Sequence, residues 1–258
     1  MQLRDYQQQA VDAVYDYLRN RDGNPCVVIP TAGGKTPVMS TICTDAVNLW
    51  AGRVLVLAHV KELLEQTAGT LASIAPELDI GIYSAGLNRR DTEHRVLVAG
   101  IQSVYKRACD LGPFDLILID EAHMIPPSGE GMYRTFLQEA LIVNPNLRVI
   151  GLTATPFRMS TGMICGPDNL LNEICFEVGV RELIVKGYLC PLISKAGKRK
   201  ADISRLHLRG GEFIAAEVED LMDQDALVSS ACTEIIEQTA SRNSVLIFAA
   251  GISHARHI

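Results

Sequence analysis

Six times between residues 26 and 152 the chain sets a short, almost uninterrupted apolar run ahead of a longer stretch with mixed polarity. The runs lie at 26–29, 53–58, 79–83, 95–99, 114–119 and 148–152, and they are rich in Val, Ile and Leu. Strands of this kind belong to a parallel sheet covered on both faces, because a strand with one wet face would alternate apolar and polar residues. Between the runs, 61–74 repeats Leu63, Leu64, Leu71 and Ile74 at helical spacing, and 133–141 does the same. The β-α-β rhythm predicts a doubly wound α/β fold whose ligand groups gather at the carboxyl ends of the strands.

After Thr155 the rhythm changes. The stretch 156–166 carries Gly, Ser and Pro with little periodicity and reads as a connection. Helical patterns return at 180–187 and 225–241, and SVLIFA at 244–249 reads as one more buried strand. This pattern divides the chain into a first domain over 1–190 and, over 191–258, a connection with the opening part of a second domain that is begun and not completed.

Composition adds limits. Over 258 residues, 48% apolar and 21% charged is an ordinary globular balance with no low-complexity tract, which argues against intrinsic disorder. A net charge of −6 does not mark a protein coated with nucleic acid, although gripping one strand needs only local positive charge. Seven cysteines without a C-x-x-C pair signal neither a disulfide framework nor a zinc ribbon. MQLRDYQQQAV lacks the apolar core of a signal peptide, and no window reaches 18 uninterrupted apolar residues, so a cytoplasmic protein with no membrane partner is expected.

Two segments carry chemistry. CVVIPTAGGKT places a buried strand and a glycine-containing turn ahead of Lys35, Thr36 and an apolar-periodic helix. That order suits a phosphate cradle at Thr31, Ala32, Gly33, Gly34, Lys35 and Thr36: N–H groups at the helix start meet phosphate oxygens, the lysine reaches the β and γ phosphates, and the hydroxyl ligates Mg²⁺. Ile29 stands where the strict motif has its first glycine, Ala32 would resist a positive φ, and Pro37 removes one donor from the first helical turn. Some 85 residues on, FDLILIDEAH ends an apolar strand with Asp120 and Glu121. Together with the loop, Asp120 suits a Mg²⁺ ligand, Glu121 a residue that orients or deprotonates water, and His123 a coupling residue.

As an ordered set, LRDYQ, PTAGGKT, VLVLAHVKEL, IQSV, DEAH, GLTATPFR and SVLIFAA resemble the superfamily-2 DEAH-box helicases. More narrowly, AHVKEL, NPNLRVIGLTATPFR, RELIVKGYL and IFAAGISHA are similar to RadD-type bacterial DNA-repair helicase-like ATPases. The resemblance implies two RecA-like domains, ATP and Mg²⁺ as cofactors, and nucleic acid as partner, DNA before RNA, with a repair protein as a further partner. It implies that Arg4 and Gln7 read adenine with Tyr6 in support, that Thr153 and Thr155 couple ATP state to the second domain, and that His59, Gln102, Ser103 and Arg158 line the strand path. It also implies that arginines of a complete second domain are needed for turnover, so this chain alone should bind ATP better than it hydrolyses it. The basic run Lys195, Lys198, Arg199, Lys200, Arg205 and Arg209 is either a solvated face or a phosphate-contacting surface. Two other readings of the whole are the motor of a restriction or phage-defence system, and a non-catalytic scaffold.

Overall fold

The computed structural model describes residues 2–59, 61–126, 131–158, 162–209 and 212–258, without the side chains of 61–63, 208, 209 and 212. Leu63 of the predicted apolar repeat and Arg209 of the basic run therefore lie outside the described side chains. The chain divides into two compact units, Met1–Cys190 and Pro191–Ile258.

In chain order the first unit contains α1 (Asp5–Asn20), β1 (Pro25–Val28), α2 (Lys35–Asn48), β2 (Val54–Ala58), α3 (Lys61–Ile74), β3 (Ile80–Ser84), β4 (Arg89–Arg90) and β5 (Val96–Gly100). It continues through α4 (Ile101–Val104), α5 (Ala108–Leu111), β6 (Leu116–Ile119), α6 (Met132–Val143), β7 (Arg148–Thr153), β8 (Phe157–Arg158), β9 (Gly162–Met163), β10 (Glu173–Glu177) and α7 (Val180–Val185). The main sheet runs β10-β1-β7-β6-β2-β5-β3-β4. Every pairing is parallel except β3 with β4. This is an α/β RecA-like fold with a mostly parallel sheet between two helical layers.

Alternation along the strands explains the near-continuous apolar runs. On β2, Val54, Val56 and Ala58 face one core while Leu55 and Leu57 face the other, and all five are buried. The first core takes α1, α2 and α3, through residues such as Val14, Met39, Ile42 and Leu71. The second takes α4, α5 and α6, with Val104, Leu111 and Phe136. Within the first layer α2 packs between α1 and α3. At its far end from the loop, α2 is tied to α1: the Tyr15 hydroxyl donates to Asp45 at 2.6 Å, and the Tyr15 ring meets Trp50 edge-on at 5.2 Å.

All six predicted strands are present, each within about two residues of its predicted bounds. Two features differ. The stretch 156–166 connects two parts of the first unit, because the chain passes the small β8–β9 hairpin and returns to the sheet as β10, beside β1. Strand β10 was not foreseen, since EICFE carries a glutamate at each end and lies at the sheet edge with only partial burial.

The second unit contains β11 (Leu208–Arg209), β12 (Glu212–Phe213), α8 (Ala215–Met222), α9 (Asp225–Thr239) and α10 (Ile252–His257). The Glu219 carboxylate accepts from the N–H groups of Ser253 and His254, which fastens the start of α10 to α8. The expected strand at 244–249 is not formed. Residues 245–248 are exposed, Phe248 to 88%, and pair with no strand. Apolar content alone does not make a strand, because its backbone groups need a neighbouring ladder, and the described pairing in this unit is limited to β11 with β12. Among the described residues no helix is long and apolar enough to cross a membrane.

Burial in the first unit sets an expectation for stability. Leu118 on β6 is fully buried, so Leu118→Ala is expected to cost about 2–5 kcal/mol. Leu141 on α6 is 44% exposed, and its replacement by Ala should stay within about 1 kcal/mol. Chemical denaturation of both variants checks this; equal losses would contradict the two-layer packing.

Candidate functional site

Strand β1 delivers the loop in which a phosphate cradle is expected. The Ile29 N–H donates to the Thr153 carbonyl at 3.0 Å, so the ladder with β7 runs to the first residue of the turn. The loop then tightens, the Gly33 N–H donating to the Pro30 carbonyl at 2.9 Å. Ala32 adopts φ 61° and Gly34 φ 85°, whereas Gly33 does not enter the left-handed region. The positive φ anticipated at Ala32 is therefore used there, at a cost of about 1–2 kcal/mol for an L-residue. Gly33 is required for a different reason: a Cβ would lie 2.7 Å from Ile29 Cγ2 and 2.8 Å from the Pro30 carbonyl. Lys35 opens α2, and Pro37 occupies its third position.

The start of α1 is clipped to this loop. Gln7 Oε1 accepts from the Arg4 N–H at 2.9 Å, and Gln7 Nε2 donates to the Gly34 carbonyl at 3.3 Å. The Tyr6 hydroxyl, wholly buried, donates to the Gly33 carbonyl. Beyond them, the Arg4 guanidinium lies 4.5 Å over the ring of Tyr188, which also packs 5.4 Å from Tyr6. Tyr188 was not among the residues singled out from the sequence, although it lies in the quoted RELIVKGYL segment; a lone tyrosine after a short helix carries no spacing signal.

The acidic pair follows β6, two strands from β1 across β7. The Asp120 N–H donates to the Leu57 carbonyl at 3.0 Å, and Asp120 Oδ1 accepts from the Glu121 N–H at 2.9 Å. Glu121 sits at φ 49°, which turns its side chain back toward the loop. One carboxylate oxygen is 3.3 Å from Lys35 Nζ and the other 3.3 Å from His123 Nδ1. His123 Nδ1 is also 3.0 Å from Thr153 Oγ1, which in turn contacts the Thr155 backbone at 3.1 and 3.2 Å. A continuous polar chain thus runs Lys35, Glu121, His123, Thr153, Thr155.

Burial holds the Asp120 carboxyl above the usual aspartate range, and the Glu121 charge adds to this against the opposing effects of the Glu121 N–H and of Lys35 and His123. The loop, Lys35, Thr36, Asp120 and Glu121 all border one cavity of about 330 Å³. Its remaining wall is Gln66, Thr67 and Thr70 of α3, which were not anticipated. A signal existed: Leu64, Thr67, Ala68 and Leu71 form one buried helical stripe, and Thr67 is its single polar member.

The residues expected along a strand path are arranged as two groups. Gln102 Nε2 donates to the His59 carbonyl at 2.7 Å, and Ser103 Oγ accepts from the Ala85 N–H at 2.9 Å, all beyond the ends of β2, β5 and β3. Arg158 instead donates to the carbonyl of His123 at 2.8 Å and to that of Ile125, bracing the turn after the acidic pair. In the second unit the basic run meets α9: Lys198 Nζ lies 3.6 Å from Glu237, Lys195 contacts Gln238, and Arg199 contacts the Ala226 carbonyl.

Residues 1–158 match the family model described as "Type III restriction enzyme, res subunit". The chain belongs to this family. Together with the wider similarities, this match supports a superfamily-2 helicase-like ATPase fold. IRC3 of Saccharomyces cerevisiae, named for an ATP-dependent helicase, is 28% identical over 99% of this chain and 38% of its own length. A type I restriction enzyme EcoAI endonuclease subunit of Escherichia coli is 24% identical over 99% of the chain and 33% of that protein. The chain thus spans less than half the length of these relatives. Among solved structures, the Pyrococcus furiosus Hef helicase domain superposes with TM-score 0.56 at 22% identity, covering 93% of this chain and 54% of that one. The type ISP restriction-modification enzyme LlaGI, in complex with a DNA substrate mimic, gives TM-score 0.55 at 16% identity over 93% of this chain and 24% of that one.

The electrostatics of Asp120 yield a testable sign. A carboxyl whose folded pKa is raised makes the folded chain bind more protons, so its contribution to stability falls as pH climbs through the interval between the ordinary and raised values. Asp120→Asn keeps the acceptor for the Glu121 N–H and removes the charge. The variant should melt higher than the unchanged chain at pH 7 without added ligand, and this advantage should vanish as the pH falls to about 4. A lower melting temperature at pH 7 would show that Asp120 is stabilised as an anion by its surroundings.

Proposed function

We propose that this chain is the nucleotide-binding part of a superfamily-2, DEAH-box, nucleic-acid-dependent ATPase that couples ATP hydrolysis to work on DNA. The observation that carries the reading is the convergence of the Lys35 ammonium, the Asp120 and Glu121 carboxylates and the amino end of α2 on one cavity. An amino-terminal helix end with a partly shielded lysine is suited to a polyphosphate. Buried and short of compensating positive charge, Asp120 fits a hard divalent cation, and the Thr36 hydroxyl borders the same space. In this reading Asp120 and Thr36 hold Mg²⁺, which when bound would neutralise phosphate charge. Lys35 grips the terminal phosphates, and Glu121 orients the attacking water and draws off its proton. The Lys35 contact, at 3.3 Å, aims Glu121 at the cavity.

Arg4 and Gln7 are assigned to the adenine end, with Thr31, Ala32, Gly33 and Gly34 beneath the phosphates. His123, Thr153 and Thr155 carry the state of Glu121 toward a second RecA-like domain, of which 191–258 is the opening part. His59, Gln102, Ser103 and Arg158 are assigned to the nucleic-acid path. The res-subunit match and the EcoAI and LlaGI relatives favour the motor of a restriction system. The quoted RadD-like segments favour a repair ATPase. A nuclease or sequence-specificity domain on the same polypeptide would decide for the former.

The test begins with binding. Mg·ATP at about 100 times its Kd should raise stability by about 2.7 kcal/mol, seen as a higher melting temperature. Lys35→Ala should erase that shift, and Glu121→Gln should keep it. In the protein extended through a complete second domain, Glu121→Gln should abolish DNA-stimulated phosphate release. A melting temperature indifferent to saturating Mg·ATP would leave the scaffold reading in its place.

A further inference from the structure

Thr67 is 6% exposed, yet its hydroxyl makes no hydrogen bond among the described residues, and it borders the phosphate cavity. Thr41, Thr44, Thr233 and Thr239 each return a hydrogen bond to the carbonyl four residues earlier. Thr67 instead keeps its donor uncommitted within an otherwise apolar stripe. Gln66 and Thr70 flank it on the cavity side, and their side chains likewise form no hydrogen bond among the described residues. A hydroxyl that borders the cavity with its donor uncommitted is placed to meet an acceptor bound there.

The helical layer says which part of a ligand would arrive there. Helix α2 lies between α1 and α3, with Lys35 at its amino end. Arg4 and Gln7, the proposed base-reading residues, stand on the α1 flank. A nucleotide whose base lies on that flank extends its phosphates across the start of α2, so its far end reaches the α3 flank. We propose that Gln66, Thr67 and Thr70 form a terminal-phosphate wall, in which the Thr67 hydroxyl donates to the γ-phosphate of a bound nucleoside triphosphate. The inference rests on the ATP reading above. It adds that α3, beside Lys35, contributes to distinguishing triphosphate from diphosphate.

The experiment compares AMP-PNP and ADP, each with Mg²⁺, by competition against a fluorescent nucleotide on the 258-residue chain. Thr67→Val preserves shape and removes the hydroxyl; it should weaken AMP-PNP about tenfold, the effect of one hydrogen bond to a charged acceptor, and leave ADP within about twofold. Thr67→Ser should restore AMP-PNP binding. Equal weakening of both nucleotides, or of neither, overturns the wall. Should Thr67→Val not fold, Thr70→Val and Gln66→Leu are read by the same ratio, and a ratio unchanged in both overturns it as well. If the unaltered chain binds neither nucleotide, the ATP reading itself fails, an outcome distinct from a lost preference.

Discussion

The register between β1 and β7 is the constraint on which the site depends. Val28 lies opposite Thr153, and the ladder continues through the Ile29 N–H to the Thr153 carbonyl. One strand launches the phosphate loop and the other ends in the threonine that contacts His123. A slip of one residue would reverse every side chain on β1 and detach the loop from that threonine. The sheet is buried on both faces, so the register is held by two cores at once.

Within that frame the charges are unevenly compensated. Glu121 is shared between Lys35 and His123, whereas Asp120 has a backbone N–H and little else close to it. The fold therefore maintains a carboxylate that it does not itself stabilise. Such an arrangement is worth keeping only where a cation or a proton completes it, which is why the acidic pair is more telling than its mere presence at a strand end. The left-handed conformations at Ala32 and Glu121 belong to the same economy, since both hold backbone away from its preferred region beside this cavity.

Much of the fold was legible because a parallel sheet writes its strands as continuous apolar runs. The loop and the acidic pair were legible as an order of residues along the chain, and the fold brings them to one cavity. Contacts that depend on packing were not. Nothing in EICFE announces an edge strand, and SVLIFA has strand character without the neighbours that would make it one. The Thr67 hydroxyl becomes informative only once the helix is seen to turn it toward the loop. Arg158 is expected from the resemblance along the strand path, and its guanidinium donates to the carbonyls of His123 and Ile125.

Clamping at both ends gives α1 and α2 a mechanical character. Near the loop they are joined through Tyr6 and Gln7, and at the opposite end through Tyr15, Asp45 and Trp50. A pair fastened at both ends resists sliding of one helix along the other, and Trp50 packs on Tyr15 at the end away from the loop. Trp50 is the single tryptophan of the chain and stands there half exposed. The molecule consequently contains its own optical gauge: with one indole in the chain, ultraviolet emission comes from the point where α1 and α2 are pinned together, without any attached dye.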